Sequence, residues 1–434
     1  MSCLARFQSS VPEFTCSGYG LETLRKYSRH VAGDESPSMI GKLRGKIGRL
    51  IPGADERAFN RSRDAAVAPL LAEADFSTRL ADLSPILGTS PRESHIVIVP
   101  MQGSTFDTWK PAGGNFLYEI AQSAREYAGT AKVTVFEMLD GESVPDWHER
   151  LIRFLVDSGA THLLAQIESD PFPPTQPNWD VLWPELSARW DGVFLGLMFD
   201  SGFRMVTLNA RRIAAINDRF VVVDICMPMD GLMVPGRPEI GPVSMPVSDE
   251  TFAALDSELG DVQQIHDVSF IGALYPYRVE MIEALRAHGV NVAVNPHRAD
   301  TTRDFAESRT NQPTYVDYMR GLAQSKMTIN FSISSSLNGQ QLKTRILEAS
   351  GMGCLVLTDD FDRSDRFWVA GEEMAYFTEP SEVPALVESY LADPERLARA
   401  QNAGKARARS INVTNFWGGI DAGLAARDLP QIHD

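Results

Sequence analysis

From residue 94 onward the sequence falls into a rhythm that few architectures accept. "HIVIVPM" is an unbroken apolar run of strand length, and "PAGGNFLYEIAQSAREY" is a helix opened by glycine. "KVTVFEML", "THLLAQI", "GVFLGLMFDSG" and "RFVVVDICM" read as further strands, with "WHERLIRFLVDSG" and "VTLNARRIAAIND" as helices among them. Strands that are apolar on both sides and alternate with helices imply a parallel sheet covered on both faces. Around 234–250 the pattern stops in "PGRPEIGPVSMPVSDETF", whose prolines and glycines suit a crossing between domains. It then restarts: "DVSFIGALYP", "VNVAVNP", "KMTINFSIS" and "CLVLTDD" are strands, and "YRVEMIEALRAHG", "YVDYMRGLAQS" and "KTRILEASGMG" are helices. The expected fold is therefore α/β, with two doubly wound domains facing across a cleft. Residues 91–250 form the first and 251–410 the second, residues 1–90 a mainly helical extension, and 411–434 a tail packing back toward the first domain.

The 434 residues exceed one ordinary core, and 44% hydrophobic with 23% charged residues is a globular balance. Lys and Arg number 41 against 57 Asp and Glu, a net charge of −16, which repels phosphate backbones and argues against nucleic acid as a partner. The four cysteines, Cys3, Cys16, Cys226 and Cys354, lie far apart and make no metal spacing. Cys226 and Cys354 sit in apolar runs, as buried free thiols do, and a reducing cytoplasm follows. No signal-peptide core opens the chain, and no run reaches the ~18 apolar residues of a spanning helix. "MIGKLRGKIGRLI", residues 39–51, sets Ile40, Leu43, Ile47 and Leu50 on one helical face among Lys42, Arg44, Lys46 and Arg49. It reads either as a helix packed on its own protein or as a peripheral contact with the anionic inner face of a membrane.

In open α/β sheets, ligands bind beyond the carboxyl ends of the strands. After "VSFIGAL" come Tyr275 and Arg278, with Gly272 allowing close approach of a ligand. After "MTINFSIS" a polar loop runs through Gln340 and Gln341 into a helix carrying Lys343, Arg345 and Glu348. A helix start with two cations suits a diphosphate, and a carboxylate one turn on suits a sugar diol. The competing reading is a solvated charged face. Glu348, though, lies among small and apolar residues, where a carboxylate is costly unless it has partners.

The stretch "YVDYMRGLAQSKMTINFSIS…QQLKTRILEASGMGCLVLTDD…VAGEEMAYF…EVPALVESYLADPERLARAQNAGKAR", about residues 262–410, resembles the C-terminal domain of family-1-type glycosyltransferases. Its nearest likeness is the branch related to the spore maturation protein CgeB. The resemblance implies the GT-B architecture of two Rossmann-like domains and a nucleotide-sugar donor. Glu348 matches the second glutamate of the family's Glu-seven-residues-Glu motif, which holds the donor ribose. The first glutamate's place is taken by Gln340, while Lys343 and Arg345 resemble the branch's "LK-x-R" pattern. Arg278 falls where donor phosphates are held. Glu372 and Glu373 match a "GEE" segment of the cleft wall. Gly113, Gly114 and Asn115 match a glycine loop that approaches the phosphate or the acceptor.

Glycosyl transfer builds negative charge on the departing diphosphate, so fixed cations stabilise the transition state more than the ground state. Arg278, Lys343 and Arg345 would serve without a metal or other cofactor; "TDD" at 358–360 reads as a strand-end loop. An inverting enzyme needs a base for the acceptor hydroxyl. Asp200 in "LMFDSG" is the candidate, with Asp107 and Glu168 behind it, and a turn or cap is its competing role. The resemblance leans to retaining transfer, onto a glycan, a lipid-linked glycan or a protein in cell-envelope glycan synthesis. A nucleotide-sugar epimerase or hydrolase on the same frame, or a non-catalytic nucleotide-sugar-binding protein, is the alternative.

Overall fold

The computed structural model describes residues 54–88, 92–99, 116–128, 132–139, 141–167, 179–198, 204–224, 226–227, 240–241, 243–272, 274–296, 314–332, 340–359 and 363–433. The helical extension enters as α1 (Ala54–Ala74) and the short α2 (Phe76–Arg79). The first domain follows as β1 (His95–Val99), α3 (Phe116–Ala128), β2 (Lys132–Val135), α4 (Val144–Asp157), β3 (His162–Gln166), α5 (Trp179–Arg189), β4 (Val193–Met198), α6 (Arg204–Ile216) and β5 (Phe220–Asp224). Its five strands are all parallel, in the order β2-β1-β3-β4-β5.

The second domain contains α7 (Asp249–Leu259), β7 (His266–Phe270), α8 (Pro276–Ala287), β8 (Val292–Val294), α9 (Tyr315–Ala323), β9 (Ser325–Ile329), α10 (Thr344–Gly351), β11 (Leu355–Asp359), β12 (Ala375–Phe377), α11 (Val383–Leu391) and α12 (Pro394–Ile411). Its five parallel strands run β8-β7-β9-β11-β12. Both sheets therefore share one winding: the second strand lies outside the first, and the third, fourth and fifth follow on the other side. The direction of winding reverses between β1 and β3 in one domain and between β7 and β9 in the other. A crevice opens at such a reversal, beyond the carboxyl ends of the strands.

Alternation along the strands divides each core in two. Val97 and Val99 face a layer built from α1, α2 and α4 to α6, whereas Ile96 and Ile98 face α3 and the chain's last helix, α13 (Thr414–Ala425). In that second layer Phe416, Trp417, Ile420, Leu424 and Ile432 are buried against the first sheet, and the Trp417 indole N–H donates to Ser123 Oγ at 2.8 Å. The chain thus returns to the first domain after completing the second. Local signals set the helix starts: Ser143 caps α4, Ser248 caps α7, and Thr314 with Asp317 forms a capping box on α9.

A two-stranded antiparallel ribbon also joins the domains. In it β6 (Cys226–Met227), just after the first sheet, pairs with β10 (Gln340–Gln341), which precedes α10. Among the described residues no helix is long and apolar enough to cross a membrane. Residues 39–51 lie outside the described residues. Cys354 is a buried free thiol.

Candidate functional site

At the switch point of the second sheet, β7 ends in Phe270 and the chain turns through Gly272, whose φ of 144° disfavours any side chain. Asn295, at the end of β8, fixes that turn. Its Oδ1 accepts from Gly272 N at 2.8 Å and its Nδ2 donates to Gly272 O at 3.2 Å. The bare face of Gly272 is where two arginines converge. A Cβ built there would stand 3.2 Å from Arg345 Nη2 and 3.9 Å from Arg278 Nη1.

Arg278 projects from the first turn of α8 and is only 8% exposed. Its Nε donates to the Tyr277 hydroxyl at 2.9 Å, and its guanidinium carbon lies 4.6 Å from the Tyr275 ring centre and 5.3 Å from that of Tyr277. Phe270 and Phe331 complete this aromatic surround. Burial lowers the pKa of Arg278, and the neighbouring charge of Arg345 lowers it further. Arg345 comes from the first turn of α10 and is half-buried, 5.9 Å from the Phe270 ring centre. Its Nε is buried without a hydrogen-bond partner among the described residues. Two like charges held together in a low-dielectric, aromatic surround are unfavourable on their own account; an anion between them removes the penalty.

Lys343 is the N-cap of α10 and not a residue of its body, which begins at Thr344. Its side chain makes no cap bond, and the first backbone N–H groups of α10 follow it directly. Glu348, one turn on, is 6% exposed. Its Oε1 accepts from the Tyr315 hydroxyl at 3.0 Å and its Oε2 from the Tyr318 hydroxyl at 2.6 Å. Burial raises its pKa, against those two hydrogen bonds and the charge of Arg345. Tyr318 also bonds Arg345, so one chain of contacts runs from Glu348 through Tyr318 and Arg345 to Gly272 and Arg278. α10 can sit this deep because Gly351 is bare: a Cβ there would meet the Phe252 ring of α7 at 2.4 Å.

The structure thus brings Gly272, Tyr275, Arg278, Lys343, Arg345 and Glu348 to one end of the second sheet. Gln340 and Gln341 reach it through their backbone pairing with Met227 and Cys226 of the first domain. Asp200, Asp107, Glu168, Gly113, Gly114 and Asn115 lie outside the described residues. Asp359 accepts from Ser332 N at 2.8 Å, closing the end of β11 on β9. Glu373 accepts from Val369 N at 2.8 Å and shapes a surface turn. Tyr315, Tyr318 and Asn295 were not apparent from sequence as site residues. "YVDY" at the start of α9 is the signal that could have found the two tyrosines, since its ends are three residues apart and share a helix face.

Residues 278–413 match a family model described as glycosyl transferase-like. The match covers the arginine site, α10 and the helices that close the second domain. No curated protein matches the chain. Among solved structures, HepE of Anabaena in complex with UDP and glucose is similar at 14% identity and a TM-score of 0.46, over 77% of this chain and 100% of that one. Sucrose-phosphate synthase of Thermosynechococcus elongatus is similar at 12% identity and a TM-score of 0.48, over 77% of this chain and 99% of that one. A DNA-modifying β-glucosyltransferase aligns at 12% identity with a TM-score of 0.41, over 77% and 100%.

Proposed function

We propose that the protein is a glycosyltransferase that moves a sugar from a nucleotide-diphosphate donor to a hydroxyl of a glycan, a lipid-linked glycan or a protein. The observation that carries this reading is the meeting of Arg278 and Arg345 over Gly272 at the switch point, both arginines lying inside the segment that matches the glycosyl transferase-like model. A diphosphate placed there receives two guanidiniums, the Lys343 ammonium and the N–H groups at the start of α10. As the glycosidic bond breaks, charge grows on its oxygens, and cations already in place need no reorganisation. The role is therefore leaving-group stabilisation by the chain's own residues, with no metal assigned. Glu348 takes the ribose diol: a carboxylate has roughly four lone-pair sites, and Tyr315 and Tyr318 occupy one on each oxygen. The acceptor side belongs to the first domain, with Asp200 the base if the reaction inverts; the family resemblance leans to retention. The work is cytoplasmic, where nucleotide-sugars are the donors of cell-envelope glycans.

A thermal-shift panel of UDP-, GDP-, dTDP- and ADP-sugars, followed by nucleotide release with the hit, tests this. Stabilisation by one donor and acceptor-dependent release of its nucleotide is the expected result. Conversion of the donor with no acceptor present would make the protein an epimerase or hydrolase, and binding without release a non-catalytic binder.

A further inference from the structure

The joint between the domains contains a buried acid that neither the fold nor the reaction above explains. Glu119, in the first turn of α3, is 4% exposed. Its Oε2 accepts from Ser248 N and its Oε1 from Thr251 Oγ1, each at 2.6 Å. Both partners belong to the crossing where α7 begins. Seven residues further along α3, the half-buried Glu126 accepts from Asp249 N at 2.8 Å and Glu250 N at 3.2 Å. One face of α3 thus holds the free N–H groups of α7. The second crossing is tied to the same place: Asn412 Nδ2 donates to Val247 O at 2.8 Å and to Asp249 Oδ1 at 2.7 Å.

Glu126 does this work from a partly solvated position, as carboxylates at helix starts do. Glu119 does it dry; glutamine could accept from Ser248 N and donate its amide N–H to Thr251 Oγ1, with no charge to bury. Acids and phenols surround it: Glu126 on its own helix, Asp249 and Glu250 on α7, Tyr315 on α9 and Glu348 on α10. On the α13 side Asp421 is bonded to Tyr127, and Arg125 on α3 is exposed and bonds Gln122. Among the described residues no cation pairs with Glu119.

We propose that Glu119 is a positioning residue that, as the neutral acid, fastens the first domain to the interdomain crossing, and that its ionisation loosens this joint. Burial pushes its pKa up to about 7 against the hydrogen bonds from Thr251 and Ser248, which favour the ionised form, with the charge of Glu348 a smaller push upward. A carboxyl group raised in this way favours the fastened state fully below the ordinary carboxyl range, and that contribution is lost as pH rises through about 7. The coupling to Glu348 extends the function proposed above and rests on it. A donor ribose bonded to Glu348 holds that carboxylate ionised. A second charge at Glu119 is then disfavoured, so donor binding takes up a proton there and tightens the joint.

Amide hydrogen exchange of residues 248–255, corrected for intrinsic pH dependence and followed from pH 6 to 8.5 without ligand, tests the joint apart from any activity. Wild-type protection should fall by about tenfold per pH unit as pH rises from 6 toward the Glu119 pKa and level off above it. Glu119→Gln should keep its protection across the range, and Glu348→Gln should move the wild-type step to lower pH. Thr251→Val should lower protection at pH 6, where Glu119 is neutral. Parallel profiles for wild type and Glu119→Gln would overturn the proposal, and an unmoved step in Glu348→Gln would remove the coupling. Calorimetry of donor binding in buffers of different ionisation enthalpy should show proton uptake that Glu119→Gln abolishes. If no nucleotide-sugar binds, the glycosyltransferase reading fails while the exchange step still stands or falls by itself.

Discussion

Both domains bury arginines, and they treat them in opposite ways. In the first domain Asp180 on α5 lies between two guanidiniums: Arg63 of α1, at 3.3 Å, and Arg212 of α6. Arg63 also donates to Asn209 at 3.1 Å, and Arg212 to Asp64 at 2.8 Å. One carboxylate therefore clamps the helical extension to two helices of the domain. In the second domain Arg278 and Arg345 face each other across Gly272 in an aromatic surround, and Arg278 Nε donates to the Tyr277 hydroxyl at 2.9 Å. The first arrangement is electrically complete and holds the fold. The second sets two guanidiniums side by side at the crevice, where an anionic substrate is favoured.

Removing Asp180 should give the largest effect on stability. Asp180→Ala leaves two cations without their buried counter-ion and should cost about 3–5 kcal/mol in urea unfolding. A loss under 1 kcal/mol would dissolve the contrast between the two domains.

The opposite behaviour is expected of Arg345→Ala and Arg278→Ala. Each removes one of two neighbouring like charges, so unfolding free energy should change far less than in Asp180→Ala. Turnover should drop roughly 100-fold, by more than the Michaelis constant for donor rises, because the interaction grows in the transition state. Lys343→Ala should act in the same sense, more weakly. Added magnesium should not restore any of the three. Recovery with magnesium would point to metal-assisted departure and turn attention to Asp359 and Asp360.

A smaller effect is expected at Glu348, which belongs to both categories. Glu348→Ala should weaken donor binding by about 1.5–3 kcal/mol, measured by calorimetry on the folded variant. It should also cost some stability, since two buried tyrosine hydroxyls lose their acceptor. Unchanged affinity alongside lost stability would make Glu348 a purely structural acid like Asp180.

The smallest effect concerns the basic segment at 39–51. If it docks on membranes, the protein should co-sediment with anionic liposomes in a salt-sensitive way, and reversing Lys42, Arg44, Lys46 and Arg49 to glutamate should abolish this. Indifference to the reversal would return the segment to packing on its own protein.

The strand–helix rhythm by itself determined the two parallel sheets. Apolar runs bounded by glycine, proline and capping residues leave one economical arrangement, and the crevice then lies after the strands. That logic found Arg278 after β7 and Lys343, Arg345 and Glu348 before β11, each within a few residues of a recognisable strand. It could not find the Asp180 clamp, whose arginines lie 117 residues before it and 32 after it (63, 180, 212). Nor could it tell that Glu348 is held by Tyr315 and Tyr318, or that Glu119 fastens a crossing some 130 residues away. Periodicity reports which face of an element is buried, because burial repeats along the chain. It does not report which charge meets which, because a single contact between distant segments leaves no repeat. Only the tertiary structure decided that one pair of arginines meets on a buried carboxylate while the other meets over a bare glycine at the crevice: charge pairing depends on distances across the fold, whereas secondary structure depends on neighbours along the chain.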